Sequence, residues 1–353
     1  MTAQGDGPGY NPAPLSSKLS DTQLAGERVI YSYHGLTPPA SLVSAIKAGK
    51  AAGVIFFSDN FSSYSQMKGV AAELQSAAAQ SPVKLPLLLM IDQEGGQVRR
   101  LPGAPIYSEK QIGESADPAS AARKAGRGAG LNLKKAGLNV NLAPVLDVYR
   151  HAGDFDDQYG RSYSKNPHTV ASLGADFITK QQQVGVAATA KHFPGLGAAT
   201  RSQDTDVEPV TLHLTLKQIR GTDEFPYRSA IKAHVDLVMV SWARYPALDS
   251  KYPAGLSSTI VQGELRHRLG FKGVTITDAL QAGALKGFGG TSERAFLAAK
   301  AGMNLILCAS EEPHQGAVAV SDLAKALKTH HLARSSFLTA VNRVLRLRHN
   351  LKS

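Results

Sequence analysis

The sequence predicts a (β/α)8 TIM barrel, and three observations carry that expectation. Eight short apolar runs alternate with amphipathic helical stretches along 353 residues. No glycine-rich phosphate turn follows an early run, which disfavours the rival doubly wound open sheet. Five consecutive runs end in polar or charged residues, the pattern of strands that deliver an active site to the carboxyl rim of a barrel.

The elements follow in order. Gly5, Gly7, Pro8, Gly9, Pro12 and Pro14 make residues 1–17 read as a flexible leader, ahead of one domain over 18–353. The leader lacks the basic start and apolar core of a signal peptide. The expectation is therefore a cytoplasmic protein, or an exported one whose signal has been removed. Ser20 is a helix cap, opening a helix to Gly26. Apolar runs lie at 28–33, 53–57, 86–91, 138–145, 186–190, 237–240, 273–277 and 304–307. Helical stretches lie at 39–51, 64–80, 117–136, 169–183, 226–233, 258–269, 291–301 and 316–328. A last helix at 335–347 closes the outer ring, and the barrel is expected to be irregular in its early strands.

Composition narrows the class. Hydrophobic residues at 43% and charged residues at 19% describe an ordinary globular chain. The net charge of +11 would suit an anionic neighbour such as a cell wall. Its basic residues are scattered, apart from a cluster at 343–349 that reads as a solvated helix face. No zinc-finger or RNA-binding signature accompanies them, so no nucleic acid partner is expected. Cys308 is the single cysteine and sits in the apolar run 304–309, where it reads as a buried, inert thiol. No run approaches the roughly 18 apolar residues of a membrane span. No H-x-x-x-H or clustered Cys/His set implies a metal, and no redox cofactor is implied.

The strand ends carry the chemistry. The third run ends in Asp92-Gln-Glu-Gly-Gly-Gln-Val-Arg-Arg100, the fourth in Asp147, the fifth in Lys191-His192, the sixth in Ser241-Trp-Ala-Arg244 and the seventh in Asp278. The fifth feeds a glycine-rich loop that ends in Asp204 and Asp206. Asp147 or Asp278 could each be a helix cap, but capping does not explain five polar ends in succession. Asp92 can accept from two adjacent hydroxyls of a ligand, and Lys191 and His192 can donate to such groups. Arg100 and Arg161 can reach the ligand or orient carboxylates. Trp242, the single tryptophan, is read as a flat apolar platform for a ligand ring, with core packing as the alternative.

The segments D-Q-E-G-G-Q-V-R-R, N-L-A-P-V-L-D-V, R-S-Y-S-K-N-P, K-H-F-P-G and F-K-G-V-T-I-T-D-A-L together resemble glycoside hydrolase family 3. The likeness is to its single-domain bacterial β-N-acetylglucosaminidases (β-hexosaminidases). It runs from about residue 20 to residue 347, in family order. It implies retaining hydrolysis of terminal β-linked sugars, N-acetylglucosamine favoured, through a covalent glycosyl-enzyme on Asp278, the aspartate of T-D-A-L. It also implies substrate contacts from Asp92, Arg100, Arg161, Lys191 and His192. The expected partner is a carbohydrate, either peptidoglycan-derived or another amino-sugar glycan.

One segment departs from the family pattern K-H-F-P-G-H-G followed by Asp-Ser-His, whose histidine is the family's acid/base. Here the second histidine of the first motif is Leu196, and the second motif reads Asp204-Thr205-Asp206. Three outcomes stand open: Asp206 or Asp204 is the acid/base, Glu208 swings in, or no donor exists. His213 and His234 read as structural. The rival readings are a β-glucosidase-like or transglycosylating enzyme, a catalytically weakened barrel that binds cell-wall sugars, and a phosphate-substrate barrel using the glycines at 287–290.

Overall fold

In the computed structural model, which describes residues 10–351, eight parallel strands form a closed barrel. They are β1 Val29–Tyr31, β2 Gly53–Phe56, β3 Leu88–Ile91, β4 Val140–Asn141, β5 Ala187–Phe193, β6 Leu237–Val240, β7 Val274–Thr277 and β8 Ile306–Leu307. Each strand pairs with the next in sequence, and β8 pairs with β1 through Val29 opposite Ile306. The Ile276–Leu305 bridge joins β7 to β8 and shuts the barrel, with the Thr277 N–H donating to the Leu305 carbonyl at 3.1 Å. The irregularity expected in the early strands is not confined to them: β1, β4 and β8 each pair through ladders of two residues, and β5 shifts register between Ala190 and Phe193.

Helices cover the outside where the periodic stretches place them. Ser63 caps Tyr64–Ala79, and Asp117 caps Pro118–Ala136, which ends at Gly137 in the left-handed region. Thr291–Ala301 has the bounds read from the sequence, whereas 259–268 winds as a π-helix. Several short pieces were not read beforehand, among them the helix Glu109–Gly113 and the helical segment Leu216–Asp223. A hairpin of Gln93–Gly95 with Val98–Arg99 extends the chain beyond β3, and a helical turn forms at Phe155–Gln158.

Strand parity separates two cores. Leu88 and Met90 of β3, Leu237 and Met239 of β6, and Val274 and Ile276 of β7 fill the barrel interior. Leu89, Ile91, Val238 and Val240 face the helices. Because side chains alternate along a strand, the next inward positions are Asp92 after Met90 and Asp278 after Ile276. Apolar layers therefore form the barrel floor, and the same alternation lifts polar groups onto the axis above them.

The chain ends differ from expectation. Residues 1–9 of the expected leader lie outside the described residues. Residues 13–16 form a helical turn, Ser16 is buried, and Tyr10 stacks on His349 with ring centroids 3.9 Å apart. This part of the leader is thus packed, because Leu15 and Tyr10 have apolar surface to cover. The basic cluster at 343–349 is likewise not a uniformly solvated face. Arg348 in the helix Arg334–Asn350 is buried, pairs with buried Glu27, and donates to the carbonyls of Leu85 and Pro86 at 2.8 Å each. Cys308 is buried, and burial pushes its thiol well above the usual range.

Removing one partner of a buried ion pair strands the other charge. Arg348→Met should therefore lower unfolding free energy by about 3–5 kcal/mol in urea titrations. The double variant Glu27→Gln/Arg348→Met should recover part of that loss.

Candidate active site

A cavity of about 320 Å³ opens at the carboxyl ends of the strands. Its floor is the uppermost apolar layer, including Ile55, Leu142, Met239 and Leu307. Asp92, Arg100, Arg161, Lys191, His192, Asp204, Asp206 and Asp278 all line it. These residues lie up to 186 positions apart in sequence (278 minus 92), so the barrel alone brings them together.

The charges are organised by a carboxylate that the sequence reading did not single out. Glu94 is buried on the hairpin after β3 and accepts from Arg161 Nε and Nη2 at 2.9 Å each. Lys191 Nζ lies 2.7 Å from Glu94 Oε1 and 2.7 Å from Asp92 Oδ1. Burial opposes the charge on Glu94, but Arg161 and Lys191 outweigh it and hold the carboxyl down at about 2. Burial likewise opposes the charge on Lys191, and Asp92 and Glu94 more than compensate, so its ammonium is held above its ordinary value. The signal for Glu94 was its spacing. Two residues beyond Asp92 on an extended chain, it points to the same side, while Gln93 points away and bonds Leu101 and Ala104.

A second set surrounds His192. Asp147 is fully buried, and its Oδ2 lies 2.7 Å from His192 Nδ1. Its Oδ1 accepts from the backbone N–H of Leu196 at 2.6 Å and of His192 at 3.3 Å. Burial, then Arg161, press the imidazole pKa down to about 4. The ring is therefore neutral at pH 7, with Nδ1–H donating to Asp147 and Nε2 left as an acceptor. His192 was expected to donate toward a ligand; its free nitrogen instead accepts, and Arg161 Nη2 lies 3.5 Å from it. His192 reaches the cavity against simple parity because the β5 ladder shifts register between Ala190 and Phe193. Asp156, also missed beforehand, is buried beside Arg161 at 3.3 Å, and burial with the neighbouring Asp147 raises it to about 7. No sequence pattern marks Asp156, since its helical turn is local to this loop.

Asp278 stands half-buried at the end of β7, its Oδ1 accepting from the Ala279 N–H at 2.7 Å. Burial pushes its carboxyl above the ordinary value, and nearby Asp206 adds to the rise. Asp206 is exposed at the cavity mouth; partial desolvation, then Asp204, push it up as well. Asp204 Oδ1 accepts from the Asp206 N–H at 2.9 Å, so the two acids form one turn. Leu196 is buried in the cavity wall.

Other expected positions lie elsewhere. Trp242 was read as a sugar platform, but it is buried outside the cavity lining. Its indole N–H donates to the Ala279 carbonyl at 2.9 Å, and its ring packs where a Gly255 side chain would stand. Parity explains the correction. Leu237 and Met239 point inward, so Trp242 falls on the outward face of β6. Glu208 is exposed and outside the lining, as are His213, His234 and the glycines at 287–290.

Among the described residues, two groups have cation-ligand geometry, Asp147–Asp156–His192 and His34–Asp59–Glu311. The first is committed to the hydrogen bonds above. In the second, exposed on the rim, His34 Nδ1 already pairs with Asp59 at 2.8 Å.

The comparisons agree with this architecture. The model of the glycosyl hydrolase family 3 N-terminal domain matches residues 22–347. A protein of Arthroderma benhamiae, described as an uncharacterized secreted glycosyl hydrolase, is 46% identical over 331 residues, covering 93% of each chain. A β-hexosaminidase of Stenotrophomonas maltophilia is 34% identical over 270 residues, 74% of this chain and 77% of that one. The structure of a family 3 β-N-acetylglucosaminidase from Paenibacillus superposes with a TM-score of 0.89 at 33% identity. It covers 95% of this chain, and this chain spans 64% of that longer protein. With the family model spanning nearly the whole barrel, and the polar strand ends gathered at its carboxyl rim, this chain belongs to glycosyl hydrolase family 3 and is one of its glycosidases.

Proposed function

We propose that the chain hydrolyses, or transfers, terminal β-linked sugars with retention, N-acetylglucosamine favoured. Asp278 is the nucleophile, and Asp206, assisted by Asp204, is the acid/base. One observation carries the reading: Asp278 and the Asp204–Asp206 turn line one cavity whose wall also carries Lys191, Arg161 and Asp92. The chemistry needs one carboxylate ionised and another protonated near neutrality. Asp278 attacks the anomeric carbon as Asp206 gives its proton to the departing oxygen. Asp206 then takes a proton from water, which attacks C1 and releases Asp278. Asp92 and Lys191 bind ring hydroxyls, and the unprotonated His192 Nε2 accepts from one. Glu94 acts through Lys191 and Arg161 rather than on the sugar.

The amino-sugar preference is supported by the names of the two relatives described as a β-hexosaminidase and a β-N-acetylglucosaminidase. A peptidoglycan-derived or similar glycan fits that preference. Action outside the cell is supported by the relative described as secreted. A second reading, a sugar-binding barrel with weak turnover, is favoured by Leu196 and Asp206 standing where the family pattern has histidines.

Incubation with a 2-deoxy-2-fluoro glycosyl donor bearing a good leaving group should add one glycosyl mass, mapped by peptide digestion to Asp278. Sugar binding without adduct, and without turnover of any aryl β-glycoside, would establish the second reading instead.

Asp206→Ala should reduce kcat/KM on a poor leaving group by about 10²–10⁴-fold. On an activated aryl glycoside the loss should be far smaller. Equal losses on both substrates would remove Asp206 from the proton-donor role.

The pH dependence has a defined sign. Asp278 works ionised, so activity falls as pH drops through its raised pKa. Asp206 works protonated, so activity falls as pH climbs through its own. Both are raised, so kcat/KM with a poor leaving group should be bell-shaped, with both limbs above the ordinary carboxylate range. Asp206→Ala should abolish the alkaline limb.

A further inference from the structure

The loop that carries Asp204 and Asp206 has exposed residues along its tip, with Val207 60% exposed and Asp206, Glu208 and Pro209 also open to solvent. Such a tip would ordinarily be mobile. Here it is fastened at its acidic turn. The Gly283 N–H donates to the Asp206 carbonyl at 2.7 Å, and the Ala284 N–H to the Thr205 carbonyl at 2.9 Å. Lys286 Nζ donates to the Val207 carbonyl at 3.0 Å. Thr205 is buried between the two segments. The receiving segment, Gly283–Leu285, is a short 3-10 turn that begins five residues after Asp278.

We propose that Gly283 is a positioning residue that sets the acid/base loop against the nucleophile loop, so that Asp206 is held at the cavity before substrate arrives. This rests on the reading of Asp206 as acid/base. The closeness of the two backbones requires glycine. A Cβ on Gly283 would stand 2.0 Å from the Val207 oxygen, 2.2 Å from its carbonyl carbon and 2.9 Å from its Cα. All three are main-chain atoms that cannot rotate away, so any side chain drives the loops apart. The far side of the loop is anchored separately. The Leu212 N–H donates to the Arg244 carbonyl, and the Arg244 N–H to the Val210 carbonyl, at 2.9 Å each. The displacement therefore concentrates on the turn that bears the two aspartates. Asp278 lies on the other side of the contact, its carboxylate fixed by the Ala279 N–H.

Gly283→Ala and Asp206→Ala should be compared on an activated aryl β-glycoside and on one with a poor leaving group. Each variant should also be assayed with added azide and examined for adduct formation with the fluorinated donor. Gly283→Ala is expected to lose about 10²-fold on the poor leaving group and less than about 10-fold on the activated one, in the manner of general acid loss. It should keep the Asp278 adduct, and azide should restore turnover of the activated substrate as a glycosyl azide. Parallel losses on both substrates, or no loss, overturn the positioning role. If Asp206→Ala itself shows no leaving-group selectivity, the acid/base assignment fails instead, and the two failures are thereby distinguished. Should Gly283→Ala not fold, Lys286→Met removes only the side-chain strap. It must show the same selective loss in smaller degree, and an unselective result overturns the proposal.

Discussion

The carboxyl rim depends on one buried carboxylate. Glu94 lies between Arg161 and Lys191, and without it two cations would face each other in a nearly dry space. Isolated buried charges are costly, and a paired, fully hydrogen-bonded set is the usual way they persist. Because Glu94 neutralises Arg161 and shares Lys191 with Asp92, the wall remains both charged and ordered. That order fixes three segments relative to one another: the hairpin after β3, the loop after β4 and the end of β5.

His192 extends the same logic. Asp147 holds its ring by Nδ1 and also binds two backbone N–H groups of the strand and loop that carry it. The orientation of the imidazole, the path of the chain to Leu196 and the charge state of the ring are thus one structural decision. Burial, and then neighbouring Arg161, disfavours an imidazolium, so the ring stays neutral and offers a hydrogen-bond acceptor to the cavity.

Much of the fold was legible because it follows from periodicity. Six of the eight strands were read within two residues at each end, the exceptions being the runs at 138–145 and 186–190, and the outer helices were read within three residues at each end except the stretch 39–51, which overruns its helix by four. Polar residues that end the apolar runs, such as Asp92 and Asp278, were placed on the rim by that position, and the two-residue repeat explains why they turn inward. The same rule, applied to β6, would have put Trp242 outside the cavity. Glu94 was overlooked because a carboxylate that works through two cations has no signature of its own beyond spacing. Asp156 had none, because its contact with Arg161 depends on how a long loop folds back.

The sequence by itself determined the barrel, its carboxyl rim and most of the charged residues that line it, because alternation and strand order are local properties of the chain. It also raised the expectation that the family pattern changes over the segment 196–206. Only the tertiary structure decided the charge state of His192, the keystone role of Glu94 and the fastening of the Asp204–Asp206 turn to Gly283. These depend on distances between segments far apart in sequence. Burial and Coulomb energy act through space, and no pattern along the chain encodes a separation of a few ångströms.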